Sequence, residues 1–144
     1  MLALTRKTGY GLVAMSYLAG LDEGKIASAR AMAEKLALPL SLLTNVLKEL
    51  AADGFVRSAR GVAGGYCLAR DPEQINLADL LSALEGPIRS AHCVSGRHGD
   101  DEECDCDVMD GCPVFDPVHR VHRRLSDSLR KMTLADIARP VSAT

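Results

Sequence analysis

The chain has 144 residues, of which 47% are hydrophobic and 3% aromatic, with no tryptophan and a formal net charge of −2. That length holds one domain, or one small domain with an appendage. A composition rich in aliphatic residues and poor in aromatics favours helices packed on helices and argues against a β-sandwich. Charge is unevenly placed: residues 1–70 hold nine Lys/Arg against five Asp/Glu, residues 71–112 two against eleven, and residues 113–144 six against three. Any contact with a polyanion therefore belongs to the front half. No apolar run approaches the ~18 residues of a membrane helix, and the opening Met1-Leu-Ala-Leu-Thr-Arg-Lys7 lacks a signal-peptide layout. A cytoplasmic protein without a membrane partner is expected.

In chain order, Thr5 is placed to cap a helix running to about Leu21, with Leu12, Met15 and Leu18 on one stripe. Ser28 caps a short second helix ending at Leu36, and Pro39 then breaks the chain. A third helix runs from Leu40 to about Asp53, with Gly54 as its stop. Leu43, Val46, Leu47 and Leu50 have the i, i+3, i+4, i+7 spacing of a buried stripe. Ser41, Thr44, Asn45 and Lys48 lie on the other side, and Leu42 is placed to meet thymine methyl groups. A polar face on a short third helix after a tight turn has the layout of a recognition helix, and a solvated face is the plain alternative.

The next residues favour the first reading. Phe55–Ala59 and Gly65–Ala69 read as short strands around Arg60-Gly-Val-Ala-Gly-Gly65, a glycine-tipped hairpin flanked by Arg57, Arg60 and Arg70. Three helices followed by a basic hairpin predict a winged helix-turn-helix. Arg6, Lys7, Arg57 and Arg60 are then candidates for phosphate or minor-groove contacts. Asn76 caps a further amphipathic helix to Glu85, with Leu77, Leu80, Leu81 and Leu84 inward. A last long helix is expected from about Phe115 to Met132. Its Val118, Val121, Leu125, Leu129 and Met132 form a seam suited to a second copy. Thr133-Leu-Ala-Asp136 opens a final short turn. The expected fold class is mainly α: a winged helix-turn-helix with a two-stranded β wing and a long C-terminal dimerisation helix. The expected divisions are a DNA-binding domain at 1–86, a cysteine-rich loop at 87–114, and the dimerisation helix with its terminal turn at 115–138.

Four of the five cysteines, Cys93, Cys104, Cys106 and Cys112, share one stretch with His92, His98 and seven acids. Such a segment buries too little apolar surface to order itself, so a metal, a cluster or disulfides must hold it if it is ordered. Clustered cysteines in the cytosol read first as metal or redox ligands. Structural zinc sites favour Cys-x-x-Cys knuckles, and this stretch has none. A multi-iron cluster accepts thiolates from a loosely wound loop. Zinc, and thiol chemistry between Cys106 and Cys112, stay open beside it. His92 and His98 are reserve ligands. His119 and His122 read as packing or surface residues, and Cys67 as a small core residue on a strand. No nucleophile–base pattern or phosphate loop marks an enzyme or a small-molecule substrate.

The segments Leu4–Tyr10, Ser28–Glu34, Val56–Tyr66 and Leu77–Pro87, with the closing cysteine loop and Thr133–Asp136, resemble the Rrf-two family along nearly the whole chain. Within it the chain is most similar to the regulators of SUF iron–sulfur assembly operons, through Cys106 and Cys112 followed by Pro113-Val114. The resemblance implies a homodimeric transcription factor on a palindromic double-stranded operator, with an iron–sulfur cluster (2Fe–2S or 4Fe–4S) near the dimer helix. Carried over by position, the ligands are Cys93, Cys106 and Cys112, with Cys104 as replacement or fourth ligand. The chain departs from the pattern in an acidic insertion between Cys93 and Cys106. Phe115 stands where the IscR branch has a histidine, and Gly9 where the NsrR branch has an acid, so neither fourth ligand transfers. The alternatives are a zinc-binding or thiol-sensing winged-helix regulator, or an iron–sulfur carrier or redox protein.

Overall fold

The computed structural model describes residues 4–88 and 112–138. Helix α1 spans Arg6–Ala19, and the Thr5 hydroxyl at its start accepts from the Thr8 amide at 3.3 Å. Such a cap satisfies a donor that has no partner inside the helix. Helix α2 (Ala29–Leu36) opens in the same way, with Ser28 Oγ accepting from the Ala31 amide at 3.1 Å. It closes on Ala37 in the left-handed region, at φ 53°. Two residues later Pro39 starts helix α3 (Leu40–Ala52). A left-handed residue and a proline, which cannot continue a helix, make the tight turn that sets α3 against α2. Leu43, Val46, Leu47 and Leu50 are buried, as their spacing requires. Gly54, at φ 77°, takes the left-handed position just beyond the end of α3.

Strands β1 (Val56–Ala59) and β2 (Gly65–Leu68) pair antiparallel, with Val56 opposite Leu68 and Ala59 opposite Gly65. The hairpin is also rooted on its far edge. The Ala27 amide donates to the Tyr66 carbonyl at 3.0 Å, and the Tyr66 amide to the Ala27 carbonyl at 2.7 Å. Glycine at 65 is what permits this approach: a Cβ there would lie 2.5 Å from the Ala27 carbonyl carbon and 2.8 Å from the Ser28 nitrogen. These are backbone atoms, which cannot swing aside.

A 3-10 turn (Pro72–Gln74) leads into helix α4 (Leu77–Glu85), where Asn76 Oδ1 accepts from the Asp79 amide at 2.9 Å. Leu77, Leu80, Leu81 and Leu84 are buried as expected. Helix α5 covers Phe115–Lys131 and helix α6 Leu134–Ala138. The sequence suggested only a closing turn at α6, yet Leu134 is fully buried in the same core as α1, α3 and α4. Two backbone bonds fix this return: Leu77 N–H to the Met132 carbonyl at 2.9 Å, and Leu134 N–H to the Ile75 carbonyl at 2.8 Å. Among the described residues, no helix is long and apolar enough to cross a membrane.

Candidate functional site

Because the core takes Leu43, Val46, Leu47 and Leu50, the opposite face of α3 has to meet solvent. Ser41, Leu42, Asn45 and Lys48 are exposed, Leu42 at 48%. Thr44 is half-buried, and its hydroxyl donates to the Leu40 carbonyl at 2.8 Å. That back-bond occupies the hydroxyl within its own helix. An exposed Leu42 beside amide, hydroxyl and ammonium groups makes a face that can read base edges and thymine methyls.

The first turn of α1 lies beside this face. Arg6 is exposed, and Lys7 pairs with Glu49 of α3 at 2.6 Å. Both side chains of that pair are nearly half exposed, so it contributes about 0–1 kcal/mol and can exchange for a phosphate at little cost. The start of α1 is pinned from behind. The Glu85 carboxylate accepts from the Thr5 amide at 2.7 Å, from the Thr5 hydroxyl at 2.6 Å and from the buried Thr8 hydroxyl. Hydrogen bonds from Thr5 and then Thr8 hold the Glu85 carboxyl below its ordinary pKa. This clasp joins residues 80 positions apart. Only the acid at the end of α4 hinted at it.

At the wing, Arg60 is exposed next to Gly61, whose φ is 117°. Val62 at the tip is fully exposed, a residue the sequence reading passed over. Arg57 stands apart from this tip. Its strand partner is Cys67, and both line a cleft of about 400 Å³ at the foot of the wing. Cys67 is therefore half-buried in a cavity wall and not a core residue.

Of the cysteine stretch, Cys93, Cys104 and Cys106 lie outside the described residues, as do His92 and His98. Cys112 is a free, half-buried thiol whose carbonyl accepts from the Phe115 amide at 3.2 Å, at the entrance to α5. No residue of α5 is fully buried. Leu129 packs partly on the core, whereas Val121 is 63% exposed and Met132, just past the helix, 44%. Val118 and Leu125 are half-buried. His119 stacks on Phe115 with ring centroids 4.2 Å apart. His119 Nε2 and His122 Nδ1 are solvent-inaccessible without a hydrogen-bond partner. Burial, and next the charge of His119, lower the pKa of His122. Unpaired buried nitrogens are costly, and the described residues provide a partner for neither. Among the described residues no group of three or more His, Cys, Asp or Glu side chains could hold a metal ion. Cys112 is the one cysteine of the stretch that falls among the described residues, and a thiolate is a ligand type that suits iron or zinc.

A buried-stripe helix pair, an outward polar third helix and a rooted basic hairpin define a winged helix-turn-helix DNA-binding protein. The model of the Rrf2 family, described as iron-dependent transcriptional regulators, matches residues 4–140. The chain belongs to that family, the Rrf-two regulators. It is 32% identical over 134 residues to a Synechocystis sp. protein provisionally named an HTH-type transcriptional regulator, covering 93% of this chain and 86% of that one. It is similar to CymR, the global cysteine regulator of B. subtilis, with TM-score 0.73 and 28% identity over 96% of this chain and 97% of that one. It is also similar to T. potens IscR, with TM-score 0.67 and 29% identity over 94% and 85%.

Proposed function

We propose that this Rrf2-family regulator is a homodimer on a palindromic double-stranded operator, controlled by an iron–sulfur cluster and acting on SUF-type iron–sulfur assembly genes. The observation that carries this reading is Cys112, a free thiol one turn ahead of a helix whose apolar residues stay unburied in the single chain. In this reading residues 1–86 bind DNA, 87–114 hold the cluster and 115–138 pair with the second copy. Val118, Val121, Leu125, Leu129 and Met132 meet their counterparts, and the partner supplies the bonds that His119 and His122 lack.

Ser41, Leu42, Thr44, Asn45 and Lys48 enter the major groove, where Asn45 can pair bidentately with adenine. Arg6, Lys7 and Arg60 take phosphates or the adjacent minor groove. Cys93, Cys106 and Cys112 are the proposed ligands, with Cys104 as alternative or fourth. The bound cluster would supply a state that changes with iron supply or oxidation. The acidic loop does not touch DNA; it biases how α5 pairs with its copy.

Anaerobic purification with visible absorption, iron and sulfide counting, and promoter-fragment titration tests this. Coloured protein whose operator affinity changes on cluster loss is the expected result. The likeness to CymR favours one second reading, control by thiol state alone. Iron-free, colourless protein whose affinity changes on thiol oxidation would select it.

A further inference from the structure

We infer that the cleft at the foot of the wing is an effector site for a small carboxylate-bearing metabolite with a short aliphatic body. Its volume, about 400 Å³, falls at the small end of the range for metabolite pockets. Leu18 and Leu21 at the end of α1 and Leu68 of β2 supply apolar wall. Arg57 and Cys67 are directly opposed in the antiparallel register, so their side chains leave the same face of the hairpin, and both line the cleft. Arg70 lines it as well, its guanidinium lying 5.2 Å from the Phe55 ring centroid. That stacking holds the group in place without neutralising it.

Neither arginine forms an ion pair with a described residue, although Glu23 and Asp71 line the same cleft; Lys25 is already paired with Asp22. Two guanidinium forks with no carboxylate of their own match the planar, bidentate geometry of a ligand carboxylate. The leucines select for an organic body over a bare inorganic anion. Arg60, at the hairpin turn, lies outside this lining and stays available to a duplex.

The cleft joins three segments: the end of α1, the turn at 22–25 and the strands of the wing. The same turn runs on to Ala27, which roots the wing through Tyr66. A ligand bridging these segments braces the wing against α1 and so changes affinity for DNA. This consequence rests on the DNA-binding reading, while binding itself does not.

Calorimetry and thermal melts of the full-length protein with succinate, L-glutamate, L-leucine and inorganic phosphate test the site. At least one of the three carboxylates should bind and raise the melting temperature. Its Kd should weaken tenfold or more in Arg57→Gln and Arg70→Gln, and stay unchanged in Arg60→Gln. The succinate, glutamate and leucine arms separate a dicarboxylate from an amino-acid ligand. Ligand should also protect Cys67 from iodoacetamide, read by peptide mass mapping, which keeps the test valid if a variant folds poorly. Binding of phosphate as tightly as of any carboxylate overturns the proposal, as does binding of none of the four. Loss of DNA affinity in Arg57→Gln without carboxylate binding overturns it too, and makes Arg57 a DNA contact.

Discussion

Gly65→Ala is the substitution whose effect the structure specifies most sharply. The added Cβ would collide with the Ala27 carbonyl group and lie 2.8 Å from the Ser28 nitrogen. These atoms belong to the chain that β2 pairs with, so relief requires the wing to separate from the α1–α2 linker. Separation breaks both Ala27–Tyr66 backbone bonds, each worth about 0.5–1.5 kcal/mol net. Overpacking that is only partly relieved costs roughly 1–3 kcal/mol more. The sum is a destabilisation of about 2–6 kcal/mol, or roughly 7–24 °C in melting temperature for a chain of this size. Gly9→Ala is the matching control, because a Cβ at Gly9 meets nothing within 4 Å. As the fourth residue of α1, inside the helix, it should stabilise by about 0.5–1 kcal/mol. Urea melts followed by circular dichroism and operator titration measure both variants. A Gly65→Ala protein that melts within about 2 °C of wild type and keeps its affinity would refute the steric argument.

Three further outcomes follow from the site. Glu85 has a folded pKa below its ordinary value of 4.5, so its clasp on Thr5 and Thr8 stabilises above that value and is lost as pH falls through the folded pKa. Wild type should therefore lose its advantage over Glu85→Gln in melts taken below about pH 4.5, and a constant difference down to pH 2 would contradict the assignment. Val121→Glu replaces a residue exposed in the single chain, so the fold should survive while sedimentation shifts from dimer to monomer; an intact dimer removes α5 from the interface. Arg60→Ala should weaken operator binding and lower the slope of log affinity against log salt by about 1, and an unchanged slope would show that this side chain meets no phosphate.

The local parts of the fold were legible because short-range patterns encode them. The leucines of α3 and α4 declare their buried stripes, Thr5, Ser28 and Asn76 declare helix starts, and the glycines of residues 61–65 declare the hairpin. Contacts between distant residues were not legible. A bridge of single residues, as between Ala27 and Tyr66, leaves no periodic trace, and neither does a carboxylate held by two threonines 77 and 80 positions away. Leu134 read only as part of a short closing turn because nothing in five residues reveals that Ile75 receives its amide. Cys67 followed the rule that unpaired cysteines are buried, and the cleft beside β2 defeats that rule.

The way α5 is attached limits how an event at Cys112 can reach DNA. Its C-terminal end is fastened by the bonds at Ile75, Leu77, Met132 and Leu134, and Leu134 sits in a core shared by α1 through α4 and β1. Its N-terminal end, by contrast, leads with exposed Val114 and carries Val121 outward. Residues 4–88 and α6 thus form one contiguous packed body, and densely packed cores do not deform continuously. A change at the N-terminal end of a helix of 17 residues, about 25 Å long, should therefore move whole DNA-binding units relative to one another and leave each intact. In the proposed dimer this becomes a change in the distance between the two α3 helices, which must match the spacing of operator half-sites. Spin labels coupled to a ketone-bearing unnatural residue at position 41 in both copies, which leaves every cysteine unmodified, measure that distance by pulsed dipolar spectroscopy with and without cluster. A shift of a few ångströms that tracks affinity is expected. An affinity change at fixed separation would place the switch inside the unit, against the packing described here.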